Sequence, residues 1–276
     1  MPIFHAIVLG LVQGLTEFLP VSSSGHLLLV PWLMGWNDFA DVSVEKAFDV
    51  ALHLGTLIAV MGYFRHDLVT YIRDGLRMIF QRQRPSTPEG RLAWLLVVAS
   101  IPAALFGAVF GNWVDENLGK PVIIGVSLIV FALVLAWADR RTGDRDFSQM
   151  SRRDAGLIGM AQVLALNPGT SRSGISISAA RLLGFDRDSA VRFSFLLSIP
   201  VTAGAVLVKL TKLLNDGVPE GLAMPMLIGI VTAGLSGWLA VAGLLRLIKT
   251  QTFNAFVIYR LAAGVAVVVI AASAWR

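Results

Sequence analysis

Long apolar stretches dominate this sequence, at 92–110, 121–138, 225–245 and 253–275. Each reaches the roughly 20 residues that an α-helix needs to cross a bilayer's hydrocarbon. Only 15% of the 276 residues are charged, against roughly 25% in a soluble domain, and the mean hydropathy is +0.71. The chain therefore reads as an all-α integral membrane protein. A membrane β-barrel would show alternating segments of about ten residues instead. There is no cysteine, which excludes disulfides, thiolate chemistry and cysteine-ligated zinc. The net charge of +5 is a topology signal and implies no nucleic-acid partner. Residues 1–18 lack a basic segment and a cleavage site, so they read as mature structure.

Six full spans are predicted, at 48–64, 92–110, 121–138, 193–210, 225–245 and 253–275. Two other apolar regions, 3–34 and 156–183, are each broken midway by Pro, Gly and Ser. Each reads as a re-entrant helical hairpin. Non-helical backbone at membrane depth is tolerated only inside protein or beside a water-filled cavity. Arginine-rich connections at Arg65–Arg91 and Arg140–Arg153 go to the cytoplasm by the positive-inside rule. Asp38–Glu45, Asp115–Lys120 and Lys212–Glu220 then lie outside, Arg246–Lys249 inside, and both termini outside.

The result is two halves of opposite orientation: 1–138 and 156–276, joined by a basic linker at 139–155. Each half is one hairpin and three spans. Placing Gly25 over Gly174 puts Ser22–Gly25 over Ser171–Gly174 and Gln13 over Gln162. Phe48–Gly55 also resembles Phe193–Pro200. Inverted repeats with broken helices place a site near the midplane, where the two tips meet.

The tips carry reactive residues where hydrocarbon is expected. The first reads QGLTEFLPVSSSGH from Gln13 to His26, and the second NPGTSRSG from Asn167 to Gly174. Arg172 at a helix start, with exposed backbone N–H groups, makes an anion site. The bland alternative is a cap that salt-bridges Glu17 and merely locks the repeats. Glu17 shares a helix face with Gln13; it is a candidate for a cation or for acid–base work, or a structural partner of Arg172. His26 is a candidate nucleophile or acid, or an interfacial anchor. Ser23 is a candidate nucleophile, or a backbone cap. Asp49 and His53, also at i,i+4, should face the site. His5 and His66 have no expected role. Such a pocket suits a lipid phosphate, gripped at its headgroup while its tail stays in hydrocarbon.

These residues resemble the undecaprenyl-diphosphatase, or bacitracin-resistance, family over nearly the whole chain. The resemblance rests on Gly14–His26, Asn167–Gly174, Phe193–Pro200 and the motif Phe256, Tyr259, Arg260. It implies removal of the terminal phosphate from undecaprenyl diphosphate, recycling the lipid carrier of cell-wall synthesis. It also implies a bacterial inner-membrane location, a site opening externally, and a divalent cation, Mg2+ or Ca2+, near Glu17. A homodimer is compatible with it. The resemblance makes Glu17, His26 and Arg172 the functional core, with Ser23 or His26 as nucleophile. Ser22, Ser24, Gly25, Gly169, Thr170, Ser171, Ser173 and Gly174 are candidate phosphate contacts, with Gln13, Asp49 and His53 in support. Gln13 stands where the family often has glutamate, Ser24 where threonine is common and Asp49 where glutamate is common. The other reading of this architecture is a transporter or flippase of a lipid phosphate or anion.

Overall fold

The computed structural model describes residues 1–39, 42–80, 87–218 and 220–273. Parts of the connections at Asp38–Glu45, Arg65–Arg91 and Lys212–Glu220, and the end of the span at 253–275, lie outside them. The described residues form eleven α-helices, and they contain no strand beyond a single bridge between Arg145 and Phe185. In order the helices are α1 (Ile3–Phe18), α2 (Ser23–Met34), α3 (Val42–Tyr63), α4 (Arg65–Phe80), α5 (Pro88–Asn117) and α6 (Pro121–Asp139). Then come α7 (Arg152–Gln162), α8 (Arg172–Leu182), α9 (Arg187–Asp216), α10 (Ala223–Leu247) and α11 (Asn254–Ala272).

Local chemistry sets many of the boundaries. Pro88 and Pro121 open α5 and α6, where a missing N–H costs nothing. Ser151 and Asp154 form a reciprocal capping box on α7. Asp186 caps α9 through the Ser189 amide at 2.7 Å.

Five helices are long and apolar enough to span a bilayer: α5, α6, α9, α10 and α11. The span expected at 48–64 lies in α3. It qualifies only together with α4, from which it is bent by 83°. The sequence reading took 65–91 for a basic loop; residues 65–80 are in fact α4. Its arginines hide a packing face of Leu68, Tyr71 and Gly75, which lies against α5. There the indole N–H of Trp94 donates to the Gly75 carbonyl at 3.2 Å.

Close helix contacts are made by small residues, as in other membrane bundles. A Cβ on Gly125 of α6 would sit 3.0 Å from the Gly264 carbonyl of α11. A Cβ on Gly10 of α1 would sit 1.9 Å from the Thr232 hydroxyl of α10, and one on Gly159 of α7 would sit 2.4 Å from the Ala99 carbonyl of α5. Ala6, Leu9 and Gln13 are buried on α1, as are Ala155, Ile158 and Gln162 on α7. The arginines of the linker are not only surface charge. Arg145 pairs with Asp154 at 2.6 Å and lies over the Phe185 ring. Nearby, Asp139 holds Arg187 at 2.6 Å and accepts from the Phe253 amide at 3.1 Å.

Candidate active site

The chain turns between α1 and α2 at 19–22, and between α7 and α8 at 167–171. Each turn ends on a serine in the left-handed region, Ser22 at φ +79° and Ser171 at φ +75°. That region disfavours any side chain. Each serine spends its hydroxyl on the amide three residues later: Gly25 N–H donates to Ser22 Oγ at 3.4 Å, and Gly174 N–H to Ser171 Oγ at 3.0 Å. The two turns touch backbone to backbone. A Cβ on Gly25 would lie 3.2 Å from the Gly169 nitrogen. The Gly169 N–H donates to Ser22 Oγ at 3.0 Å, and Ser173 Oγ donates to the Leu19 carbonyl at 3.0 Å.

Arg260 of α11 clamps this junction. It is fully buried and donates to four carbonyls: Pro20 at 3.0 Å, Gly169 at 2.9 Å, Thr170 at 3.0 Å and Leu128 at 3.3 Å. The guanidinium fork thus joins both tips to α6. The sequence reading quoted Arg260 only as part of a motif, although an ionisable residue in an apolar run is itself a signal.

Glu17 sits at the centre of the polar network, 7% exposed. Its Oε1 accepts from Arg172 Nη2. Its Oε2 accepts from Ser23 Oγ at 2.5 Å and from Gln13 Nε2 at 3.2 Å. His53 Nε2 lies 3.7 Å from Oε2. Four side chains on α1, α2, α3 and α8 therefore meet on one carboxylate. Arg172 Nη1 donates to Thr202 Oγ1 of α9 at 2.9 Å; Thr202 had no signal in the sequence. His53 Nδ1 is 2.7 Å from the Asp49 carbonyl. That bond gives Nδ1 the proton and turns Nε2 towards Glu17.

His26 is placed differently. Its Nδ1 donates to the Ser22 carbonyl at 2.7 Å, so in the neutral ring Nε2 accepts, here from the Tyr259 hydroxyl at 2.6 Å. The two rings are nearly parallel, with centroids 5.7 Å apart. Tyr259, missed as a site residue, lies 233 positions from its partner. Among the predicted phosphate contacts, Ser22, Gly169, Thr170, Ser171, Ser173 and Gly174 have polar groups engaged in holding the tips together. Ser24 is exposed on the first turn of α2, and its Oγ is 3.5 Å from Ser22 Oγ. The first amides of α2 and α8, those of Ser23 and Arg172, have no intrahelical acceptor and remain suited to an anion.

An apolar cavity of about 280 Å³ lies between α3, α9 and α10. Leu54, next to His53, and Val206, one turn beyond Thr202, line it together with Met226, Leu227 and Ile230. Lys209 is at its edge. A larger cavity of about 980 Å³, lined by Arg140, Arg141, Arg187 and Asp188, includes none of the Glu17 network.

The sequence profile of the bacitracin resistance protein BacA family matches residues 6–266. The undecaprenyl-diphosphatase of Trichlorobacter lovleyi is 46% identical over 269 residues, covering 97% of this chain and 96% of that protein. The undecaprenyl-diphosphatase of Geobacter sulfurreducens is 47% identical over 270 residues, 97% of each chain. That of Pelobacter propionicus is 45% identical over 270 residues, again 97% of each. With the profile spanning nearly all of the sequence and such relatives aligned end to end, the chain belongs to the bacitracin resistance protein BacA family.

Proposed function

We infer that this protein removes the terminal phosphate of undecaprenyl diphosphate, leaving undecaprenyl phosphate and inorganic phosphate. The product re-enters cell-wall synthesis, and consuming the diphosphate gives resistance to bacitracin, which sequesters that form. The observation that carries the reading is the buried Glu17 carboxylate, bonded to both Ser23 and Arg172 inside an apolar bundle. The names of the relatives agree with it. The apolar cavity one turn from Thr202 is suited to the first isoprene units.

Ser23 is the nucleophile in this scheme. Its hydroxyl already donates to Glu17, the arrangement of a nucleophile with its base. His26 Nε2 is instead committed to Tyr259. An arriving diphosphate competes with Glu17 for the Arg172 guanidinium, which then neutralises the phosphate oxygens. Glu17 takes the Ser23 proton as Oγ attacks the terminal phosphorus, and undecaprenyl phosphate leaves. Water then hydrolyses the phosphoserine. His53, oriented by the Asp49 carbonyl, faces Glu17 from the side of α3.

Among the described residues no three His, Asp or Glu side chains cluster as a metal site. One carboxylate beside a diphosphate nevertheless fits Mg2+, which is usually held through one or two carboxylates and substrate phosphates. Glu17 is the residue that would hold it, and the ion would supply further charge neutralisation.

The reading also takes the chain as two inverted repeats, each a re-entrant hairpin with three spans, in a bacterial inner membrane with the site opening outwards. Three correspondences support the repeat: α7 and α8 begin 149 residues after α1 and α2, Ser22 and Ser171 share one strained cap, and Gly10 and Gly159 share one close approach. The test is phosphate release from C55 or C15 prenyl diphosphate by purified protein, with and without EDTA. Release by wild type and none by Glu17→Gln is expected. A folded wild-type protein that releases no phosphate would overturn the assignment.

A further inference from the structure

We propose that α4 is an interfacial helix that binds anionic phospholipid headgroups. Helix α3 carries exposed Ile58 and Met61, and α4 leaves it at 83°. If α3 follows the bilayer normal, α4 lies in the membrane plane. Its surface then divides into three bands. Leu68, Tyr71 and Gly75 face the bundle, and Gly75 is buried. Val69, Ile72, Leu76, Ile79 and Phe80 form one stripe at helical spacing, and they are 65%, 57%, 44%, 52% and 80% exposed. His66, Arg73 and Arg77 flank that stripe and are exposed.

No water-facing helix of a soluble protein would present five such side chains in one row. A helix lying in the interface does, with the apolar stripe in the acyl boundary and basic side chains among the headgroups. Anionic lipid, rather than lipid in general, follows from the charge. Arg65, Arg73 and Arg77 outnumber Asp67 and Asp74 on the helix. Asp74 is buried and turned from the stripe; Arg73 reaches it at 2.9 Å and Arg77 at 3.5 Å, yet both arginine side chains remain more than half exposed. The helix packs directly on α5 and continues from α3, the helix that carries His53. Headgroup binding would thus fix the depth of one wall of the Glu17 network.

The cysteine-free chain permits single nitroxide labels on Leu76→Cys and His66→Cys. The full-length protein is placed in vesicles of phosphatidylcholine and phosphatidylglycerol. The Leu76 label should relax with oxygen and be shielded from a water-soluble nickel chelate, with the opposite pattern at His66. Equal access of nickel to both positions would overturn the proposal. A Leu76 label shielded from both reagents and broadened by a neighbouring label would also overturn it, because a second copy of the chain would then cover the stripe. The second readout is the preference for phosphatidylglycerol over phosphatidylcholine, from lipid retained on the purified protein. Each basic residue near a membrane surface is worth about five-fold, so Arg73→Gln with Arg77→Gln should lower the preference by about 25-fold. An unchanged preference would remove the anionic selectivity.

Discussion

Glu17 is one carboxylate with four side-chain partners, and its role depends on which of them leaves first. The arrangement makes Ser23 and His26 separable. Ser23→Ala should lower kcat by about 10³-fold or more, since it removes the attacking atom. Tyr259→Phe should cost no more than about ten-fold, since it removes only a hydrogen bond to a residue that does not attack. Rapid quenching with terminally labelled substrate should trap labelled protein in the wild type and none in Ser23→Ala; label retained by Ser23→Ala would move the attack to another residue. Glu17 and Arg172 were legible in the sequence because charge in an apolar run is costly unless it is used. Tyr259 and Thr202 were not legible. A tyrosine near a span end and a threonine within a span are ordinary until a partner from a distant helix meets them.

At the scale of elements, paired glycines set how closely the helices approach. Gly159→Ala places a methyl group 2.4 Å from the backbone carbonyl of Ala99, and backbone cannot rotate away as a side chain can. The variant should lose about 1–3 kcal/mol, read as a lower thermal midpoint in detergent. Gly156→Ala on the same helix, with nothing within 4 Å, should be neutral or slightly stabilising. The start of α7 also predicts an acid response. Burial raises the Asp154 carboxyl, but hydrogen bonds from Arg145 and Ser151 outweigh it and hold the group below its ordinary 3.8. A lowered folded value stabilises fully above the ordinary value and loses that contribution as pH falls through the folded one. Asp154→Asn should therefore show a smaller drop in thermal midpoint between neutral and acid pH than wild type; an equal drop would mean Asp154 is not a titrating tie. Element boundaries were legible where Pro, Ser or Asp punctuates the chain. Helix α4 was obscured because its three arginines mask an equally short packing face, and only the contact with α5 shows which face matters.

The whole molecule depends on Arg260, which joins α11, α6 and both tips. Arg260→Met should cost at least about 3 kcal/mol, because up to four buried carbonyls lose their donor. The variant should lose the folded protein, and not merely its turnover, when followed by size-exclusion in detergent. Near-wild-type stability would show that water replaces the guanidinium. Sequence alone determined the membrane class, the apolar runs and the presence of Glu17, Ser23 and Arg172, because solvent preference and backbone chemistry act locally. Which hydroxyl meets Glu17, which nitrogen of His26 is engaged and what each serine caps were decided only by the tertiary structure. Those are distances between groups tens to hundreds of residues apart, and only helix packing sets them.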